Sequence, residues 1–185
     1  ELAYRSKSRP DQEQFNEIVV SNAGKFRLRL SDGSVIWVSS LSKLRYPVAF
    51  KASERRVSLE GEAYFEIAKD AKRPFYVEVG DKTVRVLGTR FNVSAYGRQV
   101  RTTLVEGSVR IEDGNSVSML KPGQQAVFES GPVLIQPANV KRDLAWKEGY
   151  FSFERDSIKT IMDKIARWYD VSVTYDHVVR HEVYT

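Results

Sequence analysis

Three groups of residues in this sequence could do chemistry. The first is the run of carboxylates in Leu59-Glu60-Gly61-Glu62-Ala63-Tyr64-Phe65-Glu66-Ile67. Hydrolysis of a glycosidic bond needs a carboxylic acid and a carboxylate flanking that bond, between about 5 and 9.5 Å apart. Ala63, Phe65 and Ile67 alternate with Glu62, Tyr64 and Glu66, which is the period of a half-buried strand. Glu62 and Glu66 then share a strand face roughly 13 Å apart, too far for either hydrolytic mechanism. The glutamates read instead as groups facing solvent, a partner or nearby basic side chains such as Arg56.

The second group is His177 and His181, whose spacing would put two imidazoles on one face of a helix. Val178 and Val179 point to an extended segment, no carboxylate pair completes a site, and no metal is expected. The third is Gly88-Thr89. A hydroxyl directly after a glycine can attack the preceding carbonyl carbon, and glycine permits the strained backbone that this requires. A β-bulge carrying a polar side chain is the competing reading. No phosphate loop, nucleophile elbow or dinucleotide fingerprint is present, so no cofactor is expected. The chain has no cysteine, which excludes thiolate metal sites, disulfides and cysteine nucleophiles.

The elements that must position these residues are mostly short strands. With 42% hydrophobic residues in 185, the chain holds enough apolar material for a folded core. Its 29 basic and 24 acidic side chains give a net charge of +5 but are interspersed, with no basic stripe, so nucleic acid is not an expected partner. Residues 1–17 are polar and read as a tether; Glu1 follows no Met, so the chain reads as a fragment. Phe26, Leu28 and Leu30 alternate with Lys25, Arg27 and Arg29, and Asp32-Gly33 supplies a hairpin turn into Val35–Val38.

Further turn signals at Gly80-Asp81, Asp113-Gly114, Pro122-Gly123 and Gly131-Pro132 separate β-branched runs through residue 140. This predicts a mainly β fold over residues 18–140, a β-roll or sandwich of short, largely antiparallel strands. A second Glu-Gly pair, Glu106-Gly107, echoes Glu60-Gly61 and raises the possibility of a repeat in stacked β layers.

From residue 141 the pattern changes. Tyr150–Phe153 is a strand candidate. Ile158, Ile161, Met162, Ile165, Trp168 and Tyr169 fall on one face of a helix that Asp156 or Ser157 can cap and Asp170 ends. Val171, Val173 and Tyr175 then alternate as a strand. Residues 141–185 are thus expected to form a small, truncated β-α-β unit.

These stretches, in this order, resemble the FecR family of transmembrane anti-sigma factors. The resemblance is carried by Leu30–Val38, Ser42–Pro47, Arg56–Ile67, Arg73-Pro74-Phe75, Val86–Val93, Thr103–Val109, Pro122–Ala126 and Trp146-Lys147-Glu148-Gly149. It runs from about Phe15 to Tyr175, and the tail resembles the C-terminal domain that follows FecR domains in Bacteroidetes-type members. Val38-Ser39 stands where the family usually has Leu-Asn, and Ser21 where a Pro is common.

The resemblance implies a periplasmic region of a single-pass inner-membrane protein. It implies as partners the signalling domain of a TonB-dependent outer-membrane transducer, site proteases, and an extracytoplasmic-function sigma factor bound through a cytoplasmic segment outside this chain. Some relatives cut themselves at a Gly-Thr bond matching Gly88-Thr89; turnover catalysis is otherwise not expected. The expected transducer contact is strand addition near Val171, Val173 and Tyr175, with Phe151 and Phe153 beside it. The alternative reading is a carbohydrate-binding β-domain that stacks sugars on Tyr64, Tyr76 and Tyr96.

Overall fold

The computed structural model describes residues 13–97, 99–114, 116–129, 132–175 and 183–184. His177 and His181 lie outside them. The chain begins with β1 (Phe15–Val20), β2 (Phe26–Arg29), β3 (Val35–Val38), β4 (Ser42–Pro47) and the long β5 (Arg55–Glu66). Next come β6 (Phe75–Val79), β7 (Lys82–Val86), β8 (Arg90–Ala95), β9 (Val100–Glu106) and β10 (Val109–Asp113). After β11 (Ser116–Leu120), β12 (Gln124–Phe128) and β13 (Leu134–Pro137) the chain turns helical, with α1 (Val140–Asp143) and α2 (Ala145–Glu148). It ends in β14 (Asp156–Ser157), α3 (Ile158–Tyr169) and β15 (Val183–Tyr184).

Two sheets share β5. The first runs β1-β4-β5-β6-β7-β10-β11 and the second β2-β3-β5-β8-β9-β12-β13. Among the described residues all pairings are antiparallel except β5 with β6. A parallel pair needs a crossover, and here β5 supplies it. Its first half lies in the first sheet, its second half crosses into the second, and the loop after Glu66 returns the chain beside Arg55. Between the sheets, Val57, Leu59, Ala63 and Phe65 of β5 meet one continuous core with Ile36, Leu44, Phe75, Phe91 and Leu104. Phe65 and Phe91 stack with centroids 4.9 Å apart.

The bend in β5 falls at Gly61. Its φ of +88° is left-handed backbone, and a Cβ there would lie 2.8 Å from the Ser42 Cα. The inward positions stay in phase across it, Arg55, Val57, Leu59, Ala63 and Phe65 all being buried, so Gly61 is a close backbone approach rather than a bulge that flips the strand. Gly107, the echo of Gly61, joins β9 in the second sheet to β10 in the first. The two Glu-Gly pairs therefore both mark passages between sheets, and the antiparallel topology is not that of a stacked repeat.

The expected architecture is present, with three local differences. The first strand begins at Phe15, inside the stretch expected to be a tether, because Phe15 pairs with Pro47 and its ring carries Arg45 at 3.7 Å. Arg56–Leu59 and Glu62–Ile67, expected from the sequence as separate strands on either side of Glu60-Gly61, form the single strand Arg55–Glu66. In the tail, neither residues 150–153 nor 171–175 form strands; a two-residue β14 pairs with β15 instead. Helix α3 spans the expected residues, with Ser157 accepting from the Thr160 amide at its start and Asp170 in left-handed backbone at its end.

The fold closes on a buried ion pair. The Arg55 side chain is 0% exposed and its Nη1 lies 2.7 Å from the Asp32 carboxylate. The same guanidinium donates to the backbone carbonyls of Arg73 and Ala68. Asp32, expected only as a turn residue, thus ties the β2–β3 turn to the start of β5 and to the loop beyond its end.

Candidate functional site at the junction of sheet and tail

The outer face of the second sheet is covered by the tail. Ser39, Glu62, Asn92 and Tyr96 from the sheet meet Trp146 and Arg167 around a cavity of about 120 Å³. Alternation along β5 puts Glu62 on this face, opposite the core. Asn92 reaches it from the neighbouring strand β8: its Nδ2 donates to Glu62 Oε1 at 2.9 Å, and its Oδ1 accepts from Trp146 Nε1 at 3.3 Å. Trp146 is placed by α2, which ends where Gly149 adopts left-handed backbone. A hydrogen-bonded chain therefore runs from α2 through β8 to β5.

Charge surrounds this chain. Arg167 stacks over Tyr96 at 4.2 Å, and Tyr96 Oη donates to the Ser40 carbonyl at 2.6 Å. Thr103 Oγ1 donates to Asp143 at 2.7 Å, fixing α1 to β9. Lys147 lies over Trp37 and Tyr64, 4.8 and 5.3 Å from their ring centroids. At the far end of α3 the Ala23 amide donates to the Arg167 carbonyl, and the Asn22 side-chain amide donates to Asp170.

Burial pushes the Glu62 carboxyl up to about 7, against the lowering effects of Asn92, Arg167 and Lys164. Of the surroundings expected for Glu62 (solvent, a partner or basic side chains), the first does not hold: it is half-buried under the tail, with Arg167 and Lys164 among the groups around its carboxyl. Arg56 pairs with Glu54 and Glu78 rather than with the glutamates of the Leu59–Ile67 stretch. Glu60 is exposed, 3.8 Å from Lys43, and Glu66 lies opposite Val35 and Arg90.

The raised pKa reverses the usual pH dependence of a carboxylate. The folded state keeps a proton that the unfolded chain releases above about 4.5, so stability is full below that pH and declines as pH rises through about 7. The decline is at most ~3 kcal/mol, since each pKa unit is worth about 1.4. Glu62→Gln keeps an acceptor for Asn92 and removes the titration. Urea unfolding at pH 5 and pH 8 is expected to give the variant equal stabilities and the parent a lower one at pH 8. Equal parent stabilities would show that the junction does not hold this proton.

The other candidates fall in separate places. Phe151 and Phe153 stack at 5.8 Å, and Phe151 meets Trp168 edge-on at 6.0 Å, so both help pack α3. Val171 and Tyr175 are exposed and Val173 is half-buried. Of the supposed sugar platforms, Tyr64 is 5% exposed against Trp37, and Tyr96 is covered by Arg167. Tyr76 lies between Arg56 and Arg85. The faces that would stack on sugar at Tyr64 and Tyr96 are occupied by the protein's own side chains.

Gly88 and Thr89 lie away from the junction, where β7 in the first sheet passes to β8 in the second. Gly88 has a φ of +150°, and a Cβ on it would sit 2.7 Å from the Lys69 Cα. Thr89 is 4% exposed. Its hydroxyl donates to the Ser108 carbonyl at 3.0 Å, and Gly107 packs directly against it. The two Glu-Gly stretches thus diverge in role, Gly61 lying beside the junction and Gly107 beside Gly88-Thr89.

Residues 16–110 match the FecR protein family and residues 150–185 the FecR C-terminal family. A candidate anti-sigma factor from Parabacteroides distasonis ATCC 8503, solved in a crystal structure at 1.65 Å, is 28% identical with a TM-score of 0.86. The match covers 92% of this chain and 83% of that one. A second structure of such a protein, at 2.50 Å, is also 28% identical, with a TM-score of 0.87 over 93% and 84% of the two chains. No curated protein matches the sequence. Glu62, Asn92 and Trp146 come from three of the stretches that carry the family resemblance, yet nothing in their sequence spacing brings them together.

Proposed function

The chain belongs to the FecR family of anti-sigma factors, and from that premise we propose that it is the periplasmic signal-receiving region of such a protein. It relays the state of a TonB-dependent outer-membrane transducer to an extracytoplasmic-function sigma factor held by a cytoplasmic segment outside this chain. The observation that carries this reading is the junction. The family's β region meets its C-terminal region where the Ala23 amide donates to the Arg167 carbonyl, the Asn22 side-chain amide donates to Asp170 and Arg167 lies over Tyr96, so a partner seated on the tail can act on the sheet. The exposed Val171 and Tyr175 beyond the end of α3 are the contact surface in this reading, and Phe151 packs on Trp168 and Tyr169 in the last turn of that helix.

The test is isothermal calorimetry between the complete periplasmic region and the purified signalling domain of the transducer encoded beside it. Saturable binding that weakens when Val171 and Tyr175 are both changed to Asp supports the reading. Absence of binding by the parent protein overturns it.

A single-turnover cleavage at Gly88-Thr89 fits the same role, because it would divide the receiving region without external catalysis. In this step Thr89 Oγ bonds to the Gly88 carbonyl carbon, the Gly88 C–Thr89 N bond breaks, and the hydroxyl proton ends on the freed amine. Water then hydrolyses the ester, leaving a Gly88 carboxylate and restoring the hydroxyl. Support comes from the Thr89 hydroxyl, which the Ser108 carbonyl holds in place, and from the close packing of Gly107 on this peptide. Mass spectrometry of freshly made protein is expected to find a fragment ending at Gly88, absent from Thr89→Ala. Intact parent protein throughout would exclude the step.

A further inference from the structure

On its outer face the first sheet ends, beside Gly88, in a groove of about 530 Å³. Leu87 and Met119 on its walls are 44% and 53% exposed, and Val117, further along β11, is 51% exposed. The cross-strand register sets Met119 beside Arg110 and Arg110 beside Arg85. Neighbouring strands lie ~4.8 Å apart, so this row of one apolar and two cationic side chains spans about 10 Å. Lys69 lines the opposite side, next to Gly88.

The charges here are unbalanced. Arg110 has its own carboxylate, Glu112, at 2.8 Å. Arg85 reaches only the Tyr76 ring, at 6.0 Å, and among the described residues neither Arg85 nor Lys69 has an ion-pair partner. Among the described residues no carboxylate lines the groove.

We propose that this groove docks an extended segment of a partner protein in which acidic side chains stand next to apolar ones. Burying Leu87 and Met119 is favourable, but it also strips water from Arg85 and Lys69, and that costs free energy unless an anion replaces the water. A segment bearing both kinds of side chain meets both requirements. A second copy of this chain, docked face to face, would set these cations against their own counterparts. A nucleic acid would satisfy the cations while leaving Leu87 and Met119 against a charged backbone. The occupant would lie over the Gly88-Thr89 peptide, which forms part of the groove. This inference stands whether or not that bond is cut, and it concerns a surface other than the one assigned to the transducer.

The test uses the ¹⁵N-labelled chain titrated at about 150 mM salt, where exposed charges further apart than ~8 Å are largely screened. The probes are a synthetic hexapeptide of alternating Glu and Leu, the same peptide with Lys for Glu, and single-stranded oligo-dT. The Glu-Leu peptide is expected to shift the amides of Leu87, Thr89 and Met119 saturably. Arg85→Glu combined with Lys69→Glu is expected to weaken that binding at least about tenfold and to create binding of the Lys-Leu peptide. Unchanged resonances elsewhere establish that the double variant is folded. Equal binding of both peptides by the parent, shifts centred elsewhere, no saturable shift, or tighter binding of oligo-dT would each overturn the proposal. So would concentration-dependent dimerisation that protects the same amides.

Discussion

Asp32→Ala is expected to destabilise the protein by ~3–5 kcal/mol, the usual cost of removing one partner of a buried ion pair. The magnitude follows from where Arg55 lies. Its guanidinium is fully buried, and Asp32 is its carboxylate partner at 2.7 Å. Without that partner, the charge keeps only the Arg73 and Ala68 carbonyls. Asp32 also accepts from the Ser34 amide and hydroxyl, and that hydroxyl accepts from the Ala68 amide. The substitution therefore loosens the turn as well as the pair. A domain of this kind has only about 5–15 kcal/mol to lose, so the loss should appear in urea unfolding as a midpoint shift with little change in slope. Changing Asp32 to Ala and Arg55 to Met together removes the stranded charge and is expected to restore a large part of the stability. A single variant within about 1 kcal/mol of the parent would mean that the ion pair does not hold the fold closed.

Arg55 also shows how much of the fold was legible. The alternation of Val57 and Leu59 extends back to Arg55 and assigns it to the inward face. The expected strand starts one residue later, at Arg56, and a fully buried Arg is rare. Turn chemistry identified the β2–β3 hairpin, and helical periodicity with its Ser157 cap identified α3 to the residue. These are local signals, and the residues that produce them are neighbours in the chain.

The junction was not legible for the same reason. Alternation correctly sent Glu62 and Tyr64 outward from the core. Nothing within β5 reveals that α2 and α3 come back to cover that outer face, so two residues expected to meet solvent or sugar meet Asn92 and Lys147 instead. The expected strands at 150–153 and 171–175 failed for a related reason. Alternating apolar residues also suit an irregular segment packed on a helix, as Phe151 is on Trp168. Gly88-Thr89 was singled out, but its contact with the second Glu-Gly stretch becomes visible only where β7 and β10 meet.

Gly61→Ala carries the second large effect, and it acts on both the scaffold and the junction. A side chain at φ +88° costs ~1–2 kcal/mol through its clash with the neighbouring carbonyl. The new methyl would also press on Ser42, 2.8 Å from its Cα, and overpacking of this kind adds ~1–3 kcal/mol. Ser42 cannot simply turn away. Its hydroxyl accepts from the Glu62 amide at 2.8 Å, donates to the Ser40 carbonyl at 3.1 Å, and lies 3.1 Å from Tyr96 Oη. Moving it disturbs the backbone of Glu62 and the ring that carries Arg167. The expected result is a loss of ~2–5 kcal/mol in urea unfolding, the sum of those two costs, together with a changed near-UV signal from Trp146 as the Glu62–Asn92–Trp146 chain shifts. Adding Ser42→Gly relieves the side-chain part of the clash but leaves the contact with the backbone and the left-handed φ, so only partial recovery is expected. Full recovery would place the entire cost in the Ser42 side chain and make the bend itself indifferent to a Cβ. No loss at all would mean that β5 can pass between the sheets by another path, and that the Glu-Gly step is not what turns it.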